Sequence, residues 1–437
     1  MDIQVVQKEY LVNKVTGEIG AARGICFPSN LEEVVACVKN EPTQPLITIG
    51  SFTGLTGATF PSGNETFLSL KKMNRILELD EETMTLTVEA GVTLTELQNF
   101  LAATPYFYAP DPGEKAASIG GTAATNAGGM RAIKYGVTRD NIRGLEVVLA
   151  SGEVMDVGGL NRKSSSGYDL KDLFIGSEGT LGIITKLQLK LVARPSFEQS
   201  LLIGFKTLDD LAPTVFQILS STLQPTTLEF FERQGIQFAE SLLQQTFPNV
   251  EGAAFLLITL DGDSIESIEN QQLALQNLLP TAKIHFLNEE EAVNVWHLRG
   301  GIVSGVEAVT QQEPLDIVVP VNQITGTIQF MKELASRYLL NGVFFGHAGD
   351  GNIHVCVMRE QLSDEEWQVA LHGYLDEMYQ YIASVKGLPS AEHGIGLLKK
   401  EFFLKNTDPV TLATMEAIKK ALDPHLRLNP GKIFSIE

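Results

Sequence analysis

Positive charge is scarce in this chain: 33 Lys and Arg stand against 53 Asp and Glu, a formal charge of −20 over 437 residues. Nucleic acid and anionic lipid surfaces both need a basic footprint, so neither is expected as a partner, and an anionic small ligand would need a local cation. Cysteine is scarcer still. Cys26, Cys37 and Cys356 are too few and too scattered for a disulfide frame or a Cys-rich zinc knuckle, which points to a reducing, cytoplasm-like compartment. Cys37 lies in an apolar helical pattern and Cys356 in a strand pattern, so both read as packing residues. No stretch approaches the roughly 18 uninterrupted apolar residues that a membrane span requires. The start, MDIQVVQKEYLVNK, lacks the basic and then apolar order of a signal peptide. Histidine is absent from the first 284 residues, and all seven fall at His285 or later.

What is present is an ordinary globular composition, 44% hydrophobic and 20% charged, long enough for about two or three domains. Ser29-Asn30-Leu31-Glu32 reads as a capping box opening a helix with an apolar face of Val34, Val35 and Val38, and PLITIG follows as a strand. In TLTVEAG, Leu86, Val88 and Ala90 alternate as a half-buried strand does, and Thr93 with Glu96 starts a second helix. IRGLEVVLASGEVMDVGG predicts a hairpin about Ser151-Gly152. A break is placed near Pro195; beyond it, strand and helix patterns alternate toward a helical C-terminal region. This predicts an α+β protein with domains at 1–194 and 195–437.

Two small-residue runs stand out, GSFTGLTG at 50–57 and the stretch 109–130. Successive glycines expose backbone N–H groups that can cradle a pyrophosphate, yet neither run is the G-x-G-x-x-G fingerprint or a Walker loop. The blocks PLITIGSFTGLTGATFP, PDPGEKAASIGGTAATNAGG, YGVTRDNIRGLEVVLASGEV and GYDLKDLFIGSEGTLGIIT occur in one order over nearly all of residues 28–194. Together they resemble the two-part FAD-binding domain of the vanillyl-alcohol oxidase/p-cresol methylhydroxylase family, which implies an FAD-linked oxidase C-terminal substrate (cap) domain after it. By that resemblance Gly50, Ser51, Phe52, Thr53, Gly54 and Leu55 wrap the FAD pyrophosphate through their backbone. Pro110, Gly120, Gly121, Thr125, Asn126 and Gly128 follow the ribityl and pyrophosphate, and Glu178, Gly179, Gly182 and Ile183 lie by the adenosine half. Ser51 and Phe52 stand where relatives often carry glycine, so Phe52 is expected at negative φ with its ring turned from the phosphates. Some members hold flavin covalently through an N-terminal His; with none here, FAD is expected to be non-covalent.

The histidines gather in the second half. FFGHAGDGNIHVCV sets His347 and His354 about a glycine-rich turn, and PSAEHGIGLLKKE sets Glu392 beside His393. Two imidazoles and a carboxylate can hold a divalent first-row ion with positions left open; the donor set alone permits zinc, manganese, iron or cobalt. The pair GHAGDGNIH and EHGIG resembles the metal-containing 2-hydroxy-acid branch of the same flavoprotein family. The resemblance implies His347, His354 and Glu392 as ligands of zinc or manganese, His393 as base, Arg299 in VWHLRGG as the binder of the substrate carboxylate, and Asn352 as a polar neighbour. Val303 and Pro314 replace a Thr and a Lys carried by members acting on D-2-hydroxyglutarate, and Tyr168, Asp169, Asn429 and Lys432 read first as structural.

The implied activity is oxidation of a small D-2-hydroxy acid, of D-lactate, glycolate or D-2-hydroxyglutarate type, to the 2-oxo acid. Hydride passes to flavin N5 and onward to an acceptor of unstated kind, and a homodimer is one compatible assembly. Two other classes are weighed. One is a non-redox flavin transferase of the ether-lipid synthase type, whose His-rich segment this chain lacks; the other is a non-catalytic flavin subunit of a glycolate-oxidase-type complex.

Overall fold

A computed structural model describes residues 3–434, which form two compact units. The first unit comprises residues up to 128, residues 136–194 and residues from 392 onward. Its strands β1 (Gly24–Cys26), β2 (Leu46–Ile49) and β3 (Thr66–Ser69) make a parallel sheet with β3 in the middle. Helix α1 (Leu31–Asn40) connects β1 to β2. Its cap is one residue later than the pattern suggests: Asn30 accepts from the Glu33 N–H, while Ser29 donates to the Glu33 carboxylate. Val34 and Val38 are fully buried on its inner face. Cys37, on the same helix, brings its Sγ to 3.4 Å from that of Cys26 on β1, a thiol pair that a separation of eleven residues did not suggest.

The second sheet of this unit is antiparallel. Strands β4 (Ile76–Asp80), β5 (Thr85–Glu89), β6 (Ile142–Val148), β7 (Val154–Gly158) and β8 (Ile183–Lys190) lie in spatial order β4-β5-β8-β6-β7. The expected hairpin is β6–β7, with Gly152 at φ +79° in its turn. Thr93 and Glu96 exchange both bonds of a capping box at the start of helix α2 (Leu94–Leu101). Among the described residues, the larger of two hydrophobic clusters in the unit runs from Val34 and Val38 through Leu86, Val88 and Leu97 to Leu187, Leu189 and Leu428, and the smaller gathers Tyr10, Ile25, Ile47, Ile49 and Phe67.

Leu428 shows where the chain departs from the expected 195–437 domain. The break at Arg194–Pro195 is present, but residues from 392 onward return to the first unit. Leu428 bridges to Leu46, and Arg427, 1% exposed, donates to the carbonyls of Val38, Glu41, Gln44 and Ala150 at 2.8–3.3 Å. Lys419 Nζ is likewise enclosed, donating to Thr180 O, Leu428 O and Asp423 Oδ2. Such groups are buried only where every donor finds an acceptor, which is what fixes this segment here. Asn429 and Lys432 serve the same end: Asn429 Nδ2 donates to Glu178 O and Lys432 Nζ to Phe60 O, with burial holding the Lys432 ammonium down to about 8. Tyr168, by contrast, is exposed.

The second unit comprises residues 129–135 and 195–391. It is built on strands β9 (Phe197–Phe205), β10 (Thr227–Glu232), β11 (Ala254–Gly262), β12 (Ile284–Phe286), β13 (Gln312–Val318), β14 (Asn341–His347) and β15 (Asn352–Met358). They form one antiparallel sheet in spatial order β12-β9-β11-β10-β14-β15-β13. Pro314 therefore sits on an edge strand, where a missing N–H costs no ladder bond on the open side. Helix α3 (Glu289–Gly300), opened by an Asn288/Glu291 capping box, packs Val295 and Leu298 with Phe231, Ile302, Val343 and Phe345 in the core, and Val303 rests against the same cluster. The short segment 129–135 is held by Asp261, which takes the Lys134 ammonium and, at 2.8 Å, the Tyr135 hydroxyl.

Substituting Arg427 by Ala should strand four carbonyls and cost on the order of 3 kcal/mol. The expected outcome is a melting temperature lower by roughly 6–12 °C in a thermal scan.

Candidate functional site

Sheet register does the main work at the histidines. His347 ends β14 directly opposite Glu229 on β10, and His354 on β15 lies directly opposite Asp316 on β13. The central hairpin β14–β15 supplies both imidazoles, and the strand on either side supplies one carboxylate to each. Opposite residues of an antiparallel pair share a face, so all four groups converge. His347 Nδ1 lies 2.5 Å from Glu229 Oε1, and His354 Nδ1 lies 3.9 Å from Asp316 Oδ1. The two Nε2 atoms face each other at 3.5 Å, with the rings at 88°. Two nitrogens each about 2.1 Å from one tetrahedral ion would stand about 3.4 Å apart, so the pair fits a shared divalent cation.

Glu229 and Asp316 are both wholly buried, and neither was singled out in the sequence. Burial pushes the Glu229 carboxyl up, but the charges of His347 and Arg299 outweigh it, and the group ends below the usual carboxylate range. A carboxylate facing Nδ1 makes that nitrogen the donor and leaves Nε2 its lone pair, the arrangement a metal-binding imidazole needs.

Arg299, in the last turn of α3, is buried rather than a surface partner of its own helix. Its Nη2 donates to Glu229 Oε2 at 2.8 Å, and its guanidinium lies 4.8 Å from the centroid of Phe345. Its Nε is buried with no protein acceptor among the described residues. Asn352 shows the same feature: Nδ2 donates to Asp316 Oδ1 and Ile317 O, both at 2.9 Å, while Oδ1 is buried and without a donor. Both atoms belong to side chains expected to meet a substrate, although other buried side-chain atoms, among them Arg139 Nε and Arg233 Nη1, share the feature. The hairpin loop that leads into Asn352 is pinned by Gly351 at φ +78°, where a Cβ would sit 1.9 Å from Val319 O.

The second unit thus brings together His347, His354, Arg299 and Asn352. Glu392 and His393 follow Ala391 in the chain and pack with the first unit. On the near side, Ser390 Oγ and the Ala391 N–H donate to Asp316 Oδ2 at 2.9 and 3.1 Å. On the far side, within the first unit, the Ile395 and Gly396 N–H groups donate to the Glu178 carboxylate at 2.7 and 2.8 Å. Glu178, expected by the adenosine, therefore spends its side chain on this loop; burial raises its pKa against the pull of those two bonds.

In the same unit, Gly50 and Gly128 mark close approaches. A Cβ on Gly50 would lie 2.0 Å from Ser118 Oγ, and one on Gly128 would lie 2.7 Å from Glu392 Oε1. Phe52 corrects its expectation: φ is +60°, and the ring packs edge-on against Tyr10 at 5.6 Å, a burial that offsets the left-handed backbone. Ser51, Thr53, Gly54 and Leu55 complete an accessible loop after β2. Gly120 and Gly121 lie in the short helix Ile119–Thr125, capped by Ser118; it ends at Asn126, φ +52°, whose Oδ1 accepts from the Arg139 N–H. Pro110 lies in an irregular buried stretch, and Gly179 is at φ +69°. Gly182 and Ile183 serve packing: a Cβ on Gly182 would strike Val147, and Ile183 is fully buried.

The sequence profile described as "FAD linked oxidases, C-terminal domain" matches residues 194–433, and that described as "FAD binding domain" matches residues 22–158. The chain belongs to the FAD-linked oxidase family. It is 39% identical to a D-lactate dehydrogenase of Anaerostipes hadrus over 417 residues, covering 93% of this chain and 88% of that one. It is 34% identical to glycolate oxidase subunit GlcD of Bacillus subtilis (strain 168), covering 94% and 88%. The fold is that of p-cresol methylhydroxylase, with a TM-score of 0.79 at 19% identity over 99% of this chain and 94% of that one. This FAD-linked oxidase is thus an enzyme of the 2-hydroxy-acid dehydrogenase branch with a p-cresol-methylhydroxylase-type FAD-binding domain. Among the described residues no helix is long and apolar enough to cross a membrane.

The loop after β2 should not tolerate a side chain at Gly50. Gly50→Ala is expected to weaken FAD binding by about tenfold or more, read as flavin absorbance per protein after gel filtration.

Proposed function

We propose that this enzyme oxidises a small D-2-hydroxy acid to the 2-oxo acid using FAD, bound non-covalently, and one divalent cation, zinc or manganese. The observation that carries the reading is the histidine pair: two Nε2 atoms 3.5 Å apart, each ring backed across the sheet by a buried carboxylate, beside unsatisfied polar atoms of Arg299 and Asn352. The named activities of the D-lactate dehydrogenase and the glycolate oxidase subunit are in keeping with it.

His347, His354 and Glu392 would hold the cation, and the loop at Gly50–Leu55 with Gly120, Gly121 and Gly128 would hold the FAD. When bound, FAD takes up the C2 hydride and the cation acidifies the substrate hydroxyl. Arg299 binds the substrate carboxylate, its Nε supplying the donor that has no acceptor among the described residues. Asn352, fixed through Nδ2 by Asp316, is a polar neighbour of the substrate, with its buried Oδ1 left as an acceptor. His393 accepts the hydroxyl proton as the hydride leaves, since an imidazole can take up a proton near neutral pH.

His393→Ala should slow anaerobic flavin reduction by D-lactate or a homologue by about 10²–10⁴-fold while FAD stays bound. Reduction at the wild-type rate in stopped-flow would remove His393 from the mechanism. Dialysis against a chelator should likewise abolish reduction while leaving the flavin spectrum intact, and added zinc or manganese should restore it; activity that survives complete metal removal would rule out the cation's role.

A further inference from the structure

Glu229 uses both carboxylate oxygens on groups of different purpose. Oε1 faces His347 Nδ1 at 2.5 Å and Oε2 accepts from Arg299 Nη2 at 2.8 Å, and the side chain has no exposed surface. Its strand neighbours explain why it cannot turn elsewhere. Leu228 and Phe230 on either side are buried, and Glu229 is in register with Leu257 on one flanking strand and with His347 on the other. A buried carboxylate is tolerated only where its oxygens are matched, and here each has one charged or polar partner.

We propose that Glu229 is a positioning residue that ties the metal-binding imidazole to the carboxylate-binding guanidinium, so that one side chain sets both halves of the substrate site. The proposal rests on the function inferred above. Its physical content is a constraint on tautomer and direction. As long as Oε1 accepts, His347 keeps its proton on Nδ1 and its lone pair on Nε2, toward His354. As long as Oε2 accepts, the guanidinium is held by Nη2 and its buried Nε is left for a ligand. Releasing either partner leaves its own oxygen of the buried carboxylate unmatched.

The substitution Glu229→Gln separates this from a general packing role, because an amide has one acceptor and one donor end. With the NH2 toward His347, the imidazole must accept at Nδ1 and carry its proton on Nε2, which blocks metal binding. With the NH2 toward Arg299, two donors face each other and the guanidinium swings away. The purified FAD-containing protein would be titrated with zinc alone, by competition with a chromogenic chelator. It would be titrated separately with propionate, a carboxylate with no 2-hydroxyl group, as a competitive inhibitor.

The expected result is a loss of about 10- to 100-fold in at least one of these affinities, with flavin content near wild type. Both constants within twofold of wild type would overturn the proposal. Should the Gln variant fail to retain FAD, Glu229→Asp is read by the same two titrations. It keeps the charge but is one methylene too short to reach both partners, and unchanged constants there overturn the proposal equally. The outcomes also separate the two levels of inference. Wild-type protein that binds neither zinc nor propionate would refute the function itself, and with it this proposal. Wild-type binding of both, unaltered by either substitution, would refute the role of Glu229 alone.

Discussion

Register in the second unit's sheet is the constraint on which the candidate chemistry rests. Side chains alternate across a strand, so slipping β14 or β15 by one residue would send its histidine to the other face and strand a carboxylate in the core. Glu229 opposite His347 and Asp316 opposite His354 make that slip costly, because each carboxylate would lose the partner that permits its burial. The hydrophobic residues around them hold the same alignment. Phe345, on the same face as His347, packs beside His354 at 5.4 Å and under the Arg299 guanidinium at 4.8 Å. Arg299 and Asn352 are thereby positioned as consequences of the pairing: one bonds to Glu229, the other to Asp316.

Much of the first unit was legible because its signals are local. Capping residues, a two-residue turn and strict alternation act within a few positions, and Thr93–Glu96, the hairpin about Ser151-Gly152 and the strand through Leu86 and Val88 follow them. The histidines of the central hairpin were legible for the same reason, since a short glycine-rich loop must bring its flanks together. Glu229 and Asp316 were not, because nothing local relates residue 229 to residue 347. Only strand order does, and β11, β12 and β13 intervene in the chain. A signal was nevertheless present: TLEFFE and PLDIVV each set an acid inside an apolar strand run, which is unfavourable unless a partner waits opposite.

The expectations that changed share a cause. Phe52 was placed at negative φ on the intrinsic cost of the left-handed region, and burial of its ring against Tyr10 overrides that cost. The contact of Cys26 with Cys37, both free thiols, likewise arises only as α1 folds back on β1. Tertiary packing, which no short window reports, decided each of these.

The return of the last segment to the first unit has a bearing on biosynthesis. A ribosome releases the strands of the second unit, all within residues 197–358, while the first unit still lacks Arg427, Leu428 and Asn429. The later-encoded body can therefore close its core first, and the earlier one must wait with apolar surface around Val38 and Leu46 uncovered until the chain is nearly complete. That interval is when nascent polypeptide would have most need of a chaperone, and it grows with any slowing of translation across the intervening two hundred or so codons.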